Sequence, residues 1–490
     1  MLLLLSEYNH NTEVHMKKCL LVSLLLLSAC EAPKVVKKEA PSVAYTEAYA
    51  LMKVWLEAQR DYDKLPGVSV TLVHEEATDW SFATGEVAQG VPLTTESQFS
   101  ICSISKLFTA IAVMQLVEQG KIELEDPLIK HLPEFNIKQH YNHSGPITIA
   151  NVLSHSSGLP RESNHPYWSA PDFKFPTKEE VLKALQYQES LYPADTYFQY
   201  SNLGLTLLGY VVEAVSGQSY DTYIQEHILA PLKMKATSTY MDASAYGNAL
   251  VYGYSATQRD GSRYKLPFFN AEGIGPAAGF SSTPKDLAKF SRWQLEVLKG
   301  EASEILTAAT LKKMHAIQWE DPFTHVKRGL GFGIYPEGQE IRVGHGGSCP
   351  GYRSVLSIDP TAGNAVAVMI NASGTNASRY ANGIRNILEK TALQAGASPH
   401  QFADIEGFYD SQPWSGETYI TSWGSGIAEL SLPSASARLT TYRYIKKDVF
   451  RRELKNDSLG EYLYILRDSI GAVKGFKQHQ NIYRYKGVQP

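Results

Sequence analysis

The chain has 490 residues, of which 43% are hydrophobic and 20% charged, with a formal net charge of −4. This is the composition of ordinary globular protein, and the lack of a basic excess excludes the electrostatic footprint of a nucleic-acid binder. The length allows about two to four domains.

Met16-Lys17-Lys18 is a short basic start, followed by an apolar run from Cys19 to Leu27 broken only by Ser23. Leu27-Ser28-Ala29-Cys30 then places small residues ahead of a cysteine. This pattern resembles a bacterial lipoprotein signal spanning 1–30. It implies that Cys30 is lipidated and that the mature protein is exported and membrane-anchored, in the periplasm or at the cell surface. Met1 to His15 carries Glu7 and Glu13 and fits no targeting segment, so Met16 is read as the true start. A transmembrane anchor is the competing reading, but the run is too short to span a bilayer comfortably. Residues 31–43 read as a Lys/Pro/Glu tether. Removing the signal and Cys30 leaves two thiols, Cys102 and Cys349, in a disulfide-permitting compartment.

From 44 to 397, strand and helix patterns are mixed. Val68 to Val73 and Ser81 to Val87 read as an opening hairpin of an antiparallel sheet. Ser103-Ile104-Ser105-Lys106 opens the next element, with hydroxyl and amine sharing one face of a helix turn. Leu107 to Gln119 is apolar on nearly all sides and is read as a buried helix ended by Gly120. Tyr200-Ser201-Asn202 precedes a second such helix, Leu203 to Val215, stopped by Gly217. Ile341 to Gly344, Arg353 to Asp359 and Ala365 to Asn371 read as three strands, and Tyr380 to Gln394 as a closing helix. His345-Gly346-Gly347-Ser348 is placed at the end of one strand and the opening of another. Strands at both ends with helices between give an α+β fold, an antiparallel sheet flanked by helices with an all-α subdomain.

From 398 to 490 short alternating segments follow one another: Thr418 to Trp423, Ala428 to Leu432, Thr440 to Tyr444, Tyr462 to Arg467 and Val473 to Lys477. Turn residues such as Ser425-Gly426 and Gly471 separate them, which points to a small all-β barrel-like domain.

The chemistry suggested by these segments is nucleophilic catalysis. Ser103 at a helix start feels the positive end of the macrodipole. Lys106 points into an apolar wall, where desolvation turns an amine into a proton acceptor. Tyr200, as a phenolate held down by a nearby ammonium, can take a proton, while the Asn202 amide binds a substrate carbonyl and holds Lys106. The glycines after His345 admit a substrate backbone, and the peptide N–H of Ser348 can join that of Ser103 in an oxyanion hole.

Taken together, Ser103-x-x-Lys106, Tyr200-x-Asn202 and His345-x-Gly347 resemble the three motifs of the serine β-lactamase and penicillin-binding superfamily, in its class C-like branch. Val152-Leu-Ser-His-Ser-Ser-Gly-Leu-Pro160, Pro231-Leu-Lys-Met234 and Pro276 to Pro284 with Asp286 agree with it, and the match covers about Leu65 to Leu393. The resemblance implies that Ser103 is acylated, that Lys106 and Tyr200 share acid/base work, that Asn202 orients and that the His345 segment lines the opposite wall. His155 is read as packing. No metal-ligand spacing appears, and no cofactor is expected. His345 stands where true lactamases carry lysine, which moves the expected substrates from β-lactams toward D-amino-acid peptides, cell-wall fragments and small esters. A Cys102–Cys349 disulfide is likewise implied, because class A carbapenemases carry one at these motif-relative positions; two small buried thiols are the alternative. The tail from Ile405 resembles a lipocalin-like domain and is read as capping or narrowing the cleft rather than holding a ligand.

The expectation is therefore a serine hydrolase acting on small-molecule or peptide substrates through an acyl-enzyme. The alternative is a penicillin-binding acceptor or sensor that acylates without efficient turnover.

Overall fold

The computed structural model describes residues 43–490 except 75–78, 142, 339, 393–400, 455, 457 and 490. The signal, Cys30, the tether as far as residue 42 and the boundary placed between 397 and 398 lie outside the described residues.

The described chain opens on a helix, α1 (Val43–Tyr62), in a stretch to which the sequence reading assigned no element. Leu51, Met52, Trp55 and Leu56 line one side of it and are all buried. The hairpin follows as β1 (Gly67–His74) and β2 (Trp80–Ala88). Next come three long helices: α2 (Ser105–Glu118), α3 (Asn202–Ser216) and α4 (Pro284–Leu298). The chain then returns to the sheet with β3 (Gly333–Glu337), β4 (Glu340–Cys349), β5 (Tyr352–Asp359) and β6 (Asn364–Ile370), and closes on α5 (Ala377–Ala392).

Among the described residues these strands form one nine-stranded antiparallel sheet, in the order Val91–Pro92, β2, β1, β6, β5, β4, β3, Lys327–Arg328, Trp319–Glu320. β1 and β6 pair in its interior, as third and fourth strands, with Val68 opposite Ile370. Strand alternation sorts the core into two layers. Val68, Val70, Leu72, Val366, Val368 and Ile370 face α1 and α5. Val73, Ala365, Ala367 and Met369 face the other way, toward α2, α3 and α4. The helical segment between the two sets of strands lies on that second side, as the α+β reading expects.

The tail is a closed barrel of eight antiparallel strands. They are β7 (Gly407–Asp410), β8 (Glu417–Trp423), β9 (Gly426–Leu432), β10 (Leu439–Lys446), β11 (Val449–Glu453), β12 (Leu459–Arg467), β13 (Val473–Gln478) and β14 (Asn481–Gly487). β7, β11 and β14 are the three the sequence reading did not assign. Pairing of β7 with β14 closes the ring. Its interior is filled by Tyr409, Ile420, Ile427, Tyr442, Phe450, Leu463 and Phe476.

The barrel docks on α1 and α5. Phe408, Trp423, Leu430 and Leu432 join the core of that layer. Trp55 Nε1 donates to Ser434 O at 2.9 Å, and the Ser434 N–H donates to Gln59 Oε1 at 2.9 Å. Asn386 Nδ2 donates to Ser436 O at 2.7 Å. This is the sheet face opposite the one on which the Ser103 turn packs, so the expected capping of the cleft is corrected. The docking surface was set by apolar faces of α1 and α5 that no local pattern in the tail announces.

Trp55 anchors both the barrel and α5 on α1. Its ring packs on Tyr380 at 5.6 Å, and α5 approaches so closely that a Cβ at Gly383 would lie 2.2 Å from the indole. Gly383→Val should therefore displace Trp55 and cost about 1–3 kcal/mol, the usual range for overpacking. Urea unfolding should show the loss as a lower midpoint.

Candidate active site

The edge pair Phe99–Ser100 leads through Ile101 into a short turn, Cys102–Ile104, directly ahead of α2. Cys102 has φ +50°, a left-handed conformation that costs a non-glycine residue about 1–3 kcal/mol and persists only where its surroundings impose it. Two bonds impose it here. Ser105 Oγ donates to Cys102 O at 2.5 Å, and a disulfide joins Cys102 to Cys349, the last residue of β4. In the chain-entropy picture a bridge closing so long a loop gives roughly 5 kcal/mol at most. Beside the bridge, a Cβ at Gly347 would lie 2.4 Å from Ile101 O and 2.0 Å from Ser354 Oγ. Only glycine lets β4 lie against the segment that delivers Ser103. The sequence reading broke the strand at Gly344; β4 instead runs unbroken through His345, Gly346, Gly347 and Ser348, paired with β5.

Lys106 is fully buried in the first turn of α2. Its Nζ lies 2.7 Å from Asn202 Oδ1, 2.7 Å from Ala277 O and 3.2 Å from Ser103 Oγ. Burial drives its pKa well below the ordinary lysine value, with Glu162 acting upward and Arg161 downward. A neutral amine has two N–H bonds and one lone pair. With its two N–H bonds directed at the oxygens at 2.7 Å, the deprotonated amine would present its lone pair to the Ser103 hydroxyl.

The Tyr200 ring closes the other side of Ser103. Lys106 Nζ stands 5.0 Å and Arg161 Cζ 4.9 Å from its centroid, and the His155 ring packs on it at 4.4 Å. Burial pushes the phenol up to about 12, although a hydrogen bond with Ser103 and the charges of Arg161 and Arg328 act downward. Burial thus pushes the two groups in opposite directions, the phenol up and the amine down. His155 accepts from the Ser201 N–H on Nδ1 at 3.1 Å, and its carbonyl accepts from Gln199 N at 2.8 Å. It braces the Tyr200 loop from inside.

Asn202 stands at the start of α3. Its Nδ2 donates to both Glu162 oxygens, at 2.7 and 3.0 Å, which fixes the amide with its Oδ1 toward Lys106. Glu162 also accepts from the Tyr167 hydroxyl and pairs with Arg161 Nε at 3.2 Å. On the β4 wall, His345 Nδ1 donates to Gly346 O at 2.6 Å. Burial first, then Lys106 and Arg328, lower its pKa to about 3, so the ring is neutral at physiological pH. Ser348 is exposed on the strand.

A family model described as β-lactamase matches residues 55–389. The chain belongs to the β-lactamase family. Beta-lactamase-like protein 2 of Dictyostelium discoideum is 28% identical over 300 residues, covering 60% of this chain and 53% of that protein. Penicillin-binding protein 4 of Amycolatopsis lactamdurans is 25% identical over 378 residues, covering 73% of this chain and 96% of its own. The octameric penicillin-binding protein homologue from Pyrococcus abyssi superposes with a TM-score of 0.61 at 25% identity, covering 89% of this chain and 99% of that one. The chain spans only 53–60% of the length of the first curated relatives it matches.

Within this β-lactamase-family site the sequence reading missed Glu162, Arg161, Ala277 and Arg328. Ala277 acts through its carbonyl, which no side-chain motif reveals. Arg161 and Glu162 directly follow the Ser-Gly-Leu-Pro160 stretch, and that adjacency is the signal that could have found them. The Glu162 charge favours the ammonium form of Lys106. Glu162→Gln keeps an acceptor for the Asn202 amide but removes the charge, so the Lys106 pKa should fall further. The acid limb of Ser103 phosphonylation by a fluorophosphonate should then move to lower pH. An unchanged limb would show that Glu162 acts only as a hydrogen-bond acceptor.

Proposed function

We propose that this chain is a serine hydrolase that cleaves amide or ester bonds through an acyl-enzyme on Ser103. The observation that carries this reading is the fully buried Lys106 Nζ 3.2 Å from Ser103 Oγ, its two other directions taken by Asn202 Oδ1 and Ala277 O. As Oγ attacks the substrate carbonyl, its proton passes to Lys106 Nζ, and the new oxyanion is held by the peptide N–H groups of Ser103 and Ser348. The C–N or C–O bond then breaks, the Tyr200 phenol giving its proton to the leaving group and regaining one from the Lys106 ammonium. Water repeats the sequence to release the acid.

Short peptides with D-residues or cell-wall fragments are the substrates this reading favours, with small acyl esters next. The similarity to a penicillin-binding protein over nearly all of that protein's length supports this class. A neutral His345 supplies no cation on β4 for a drug carboxylate, which supports weak or absent β-lactam hydrolysis. We further propose export and tethering through Cys30. The Cys102–Cys349 bridge supports the compartment, because disulfides persist where thiols are not kept reduced.

Ser103→Ala should abolish turnover of D-aminoacyl amides and nitrophenyl esters with unchanged thermal unfolding. Tyr200→Phe should lower kcat/KM by about 100- to 10,000-fold. Because Lys106 acts as the base in its neutral form and burial lowers its pKa, kcat/KM should fall toward acid pH, along a limb lying well below that of an ordinary lysine. Intact-mass spectra after a β-lactam separate the alternatives. A short-lived adduct fits a hydrolase, and a persistent one identifies the acceptor that barely deacylates.

A further inference from the structure

Two loops meet beside Tyr200, and the proposed mechanism uses neither. One runs from Tyr192 to Phe198, the other from Asp321 to His325. Asp321 staples them together: its carboxylate accepts from Phe198 N at 2.6 Å, Phe323 N at 2.9 Å and Thr324 N at 2.6 Å. Burial pushes its pKa up, but these hydrogen bonds prevail and hold it at about 2. The corner is therefore fixed across the physiological pH range.

Three rings stand in a row on that corner. Tyr192 and Tyr197 lie 5.0 Å apart, and Tyr197 stacks on Phe323 at 5.5 Å with 27° between planes. All three are exposed, Phe323 by 71%. Scattered apolar side chains on a surface are ordinary, but a row of touching aromatic rings on a fixed corner, on the loop whose Phe198 shares the His155 ring with Tyr200, is a candidate binding surface.

Next to the shelf, Phe198 carries the Arg328 guanidinium, with Cζ 4.6 Å from the ring centroid. No carboxylate among the described residues forms an ion pair with Arg328, and its Nε is buried without a partner. Arg161 differs, being tied to Glu162. The Arg328 charge reaches the catalytic groups, since it lowers the pKa of Tyr200, His155 and His345. A cation without an ion-pair partner among the described residues thus stands on Phe198, whose ring, like that of Tyr200, packs on His155, and it is carried on Lys327–Arg328 rather than on β4.

We infer that Tyr197, Phe323 and Arg328 form a substrate subsite for an aromatic or bulky apolar side chain with a carboxylate beside it. The shelf stacks on the side chain, and the guanidinium takes the carboxylate in a charge-assisted pair. This names a substrate class for the proposed acyl-enzyme and rests on that reading for its direction toward Ser103.

The test is binding to the Ser103→Ala chain, measured by calorimetry with N-acetyl-D-phenylalanine, its carboxamide, N-acetyl-D-alanine and its carboxamide. The first should bind about tenfold or more tighter than either its carboxamide or the alanine acid. Adding Phe323→Ala should erase the side-chain preference and keep the charge preference; adding Arg328→Gln should do the reverse. Phe323 is too exposed for its loss to unfold the chain, and Tyr197→Ala should repeat its effect. Equal affinities for the four ligands, or preferences that survive these substitutions, would overturn the inference. Fluorophosphonate labelling of wild-type Ser103 tests the catalytic reading separately. Labelling without the preferences sinks the subsite alone, and the preferences without labelling sink the hydrolase alone.

Discussion

The site depends on keeping one amine dry. A lysine removed from water is destabilising by several kcal/mol if charged and unpaired, so it must be neutral or surrounded by acceptors. Lys106 is both depressed and satisfied: Asn202 Oδ1 and Ala277 O accept from it, and Ser103 occupies the remaining direction. The two acceptors come from distant segments, and each is fixed by packing. Asn202 is anchored by Glu162, while the segment carrying Ala277 is held on α2 by Thr109 Oγ1, which donates to Pro276 O at 2.6 Å. The all-round burial of α2, legible in the sequence as an apolar wall around Lys106, is what excludes water from the amine.

The division of labour across the sheet follows from the same constraint. One face carries α2, α3 and α4 and the reactive groups; the other carries α1 and α5 and receives the barrel. The barrel therefore bears on the mechanism only through the sheet between them. Among the described residues its interior is filled by packed side chains, where open lipocalin-type barrels hold a ligand.

Legibility in the sequence tracked the range of the forces involved. Ser103, Lys106, Tyr200 and Asn202 were readable because each pair acts within a turn or two of one element. The α+β order and the barrel were readable because strand alternation and helix burial are local patterns. α1 was passed over because its apolar residues follow a polar tether and only the sheet and barrel explain them. The length of β4 was misjudged because Gly344, Gly346 and Gly347 carry no strand preference; contact with Ile101 and the pairing with β5 decide it. Glu162 and Arg328 are charged loop and edge residues whose neighbours are set wholly by tertiary structure. The protonation states of Lys106 and Tyr200 were half legible, since burial of the lysine could be read but burial of the phenol could not.

The register of the central strands has a consequence for how the molecule is made. Val68 pairs with Ile370, so two neighbouring interior strands of the sheet come from opposite ends of the catalytic segment. A nascent chain leaving the ribosome presents β1 early and must wait for almost the whole segment before its partner arrives. Until then the first hairpin has one unsatisfied edge, and the helices between have no surface to settle on. Assembly is late and all at once, so the growing polypeptide depends on chaperones or on continued extension to stay out of wrong pairings.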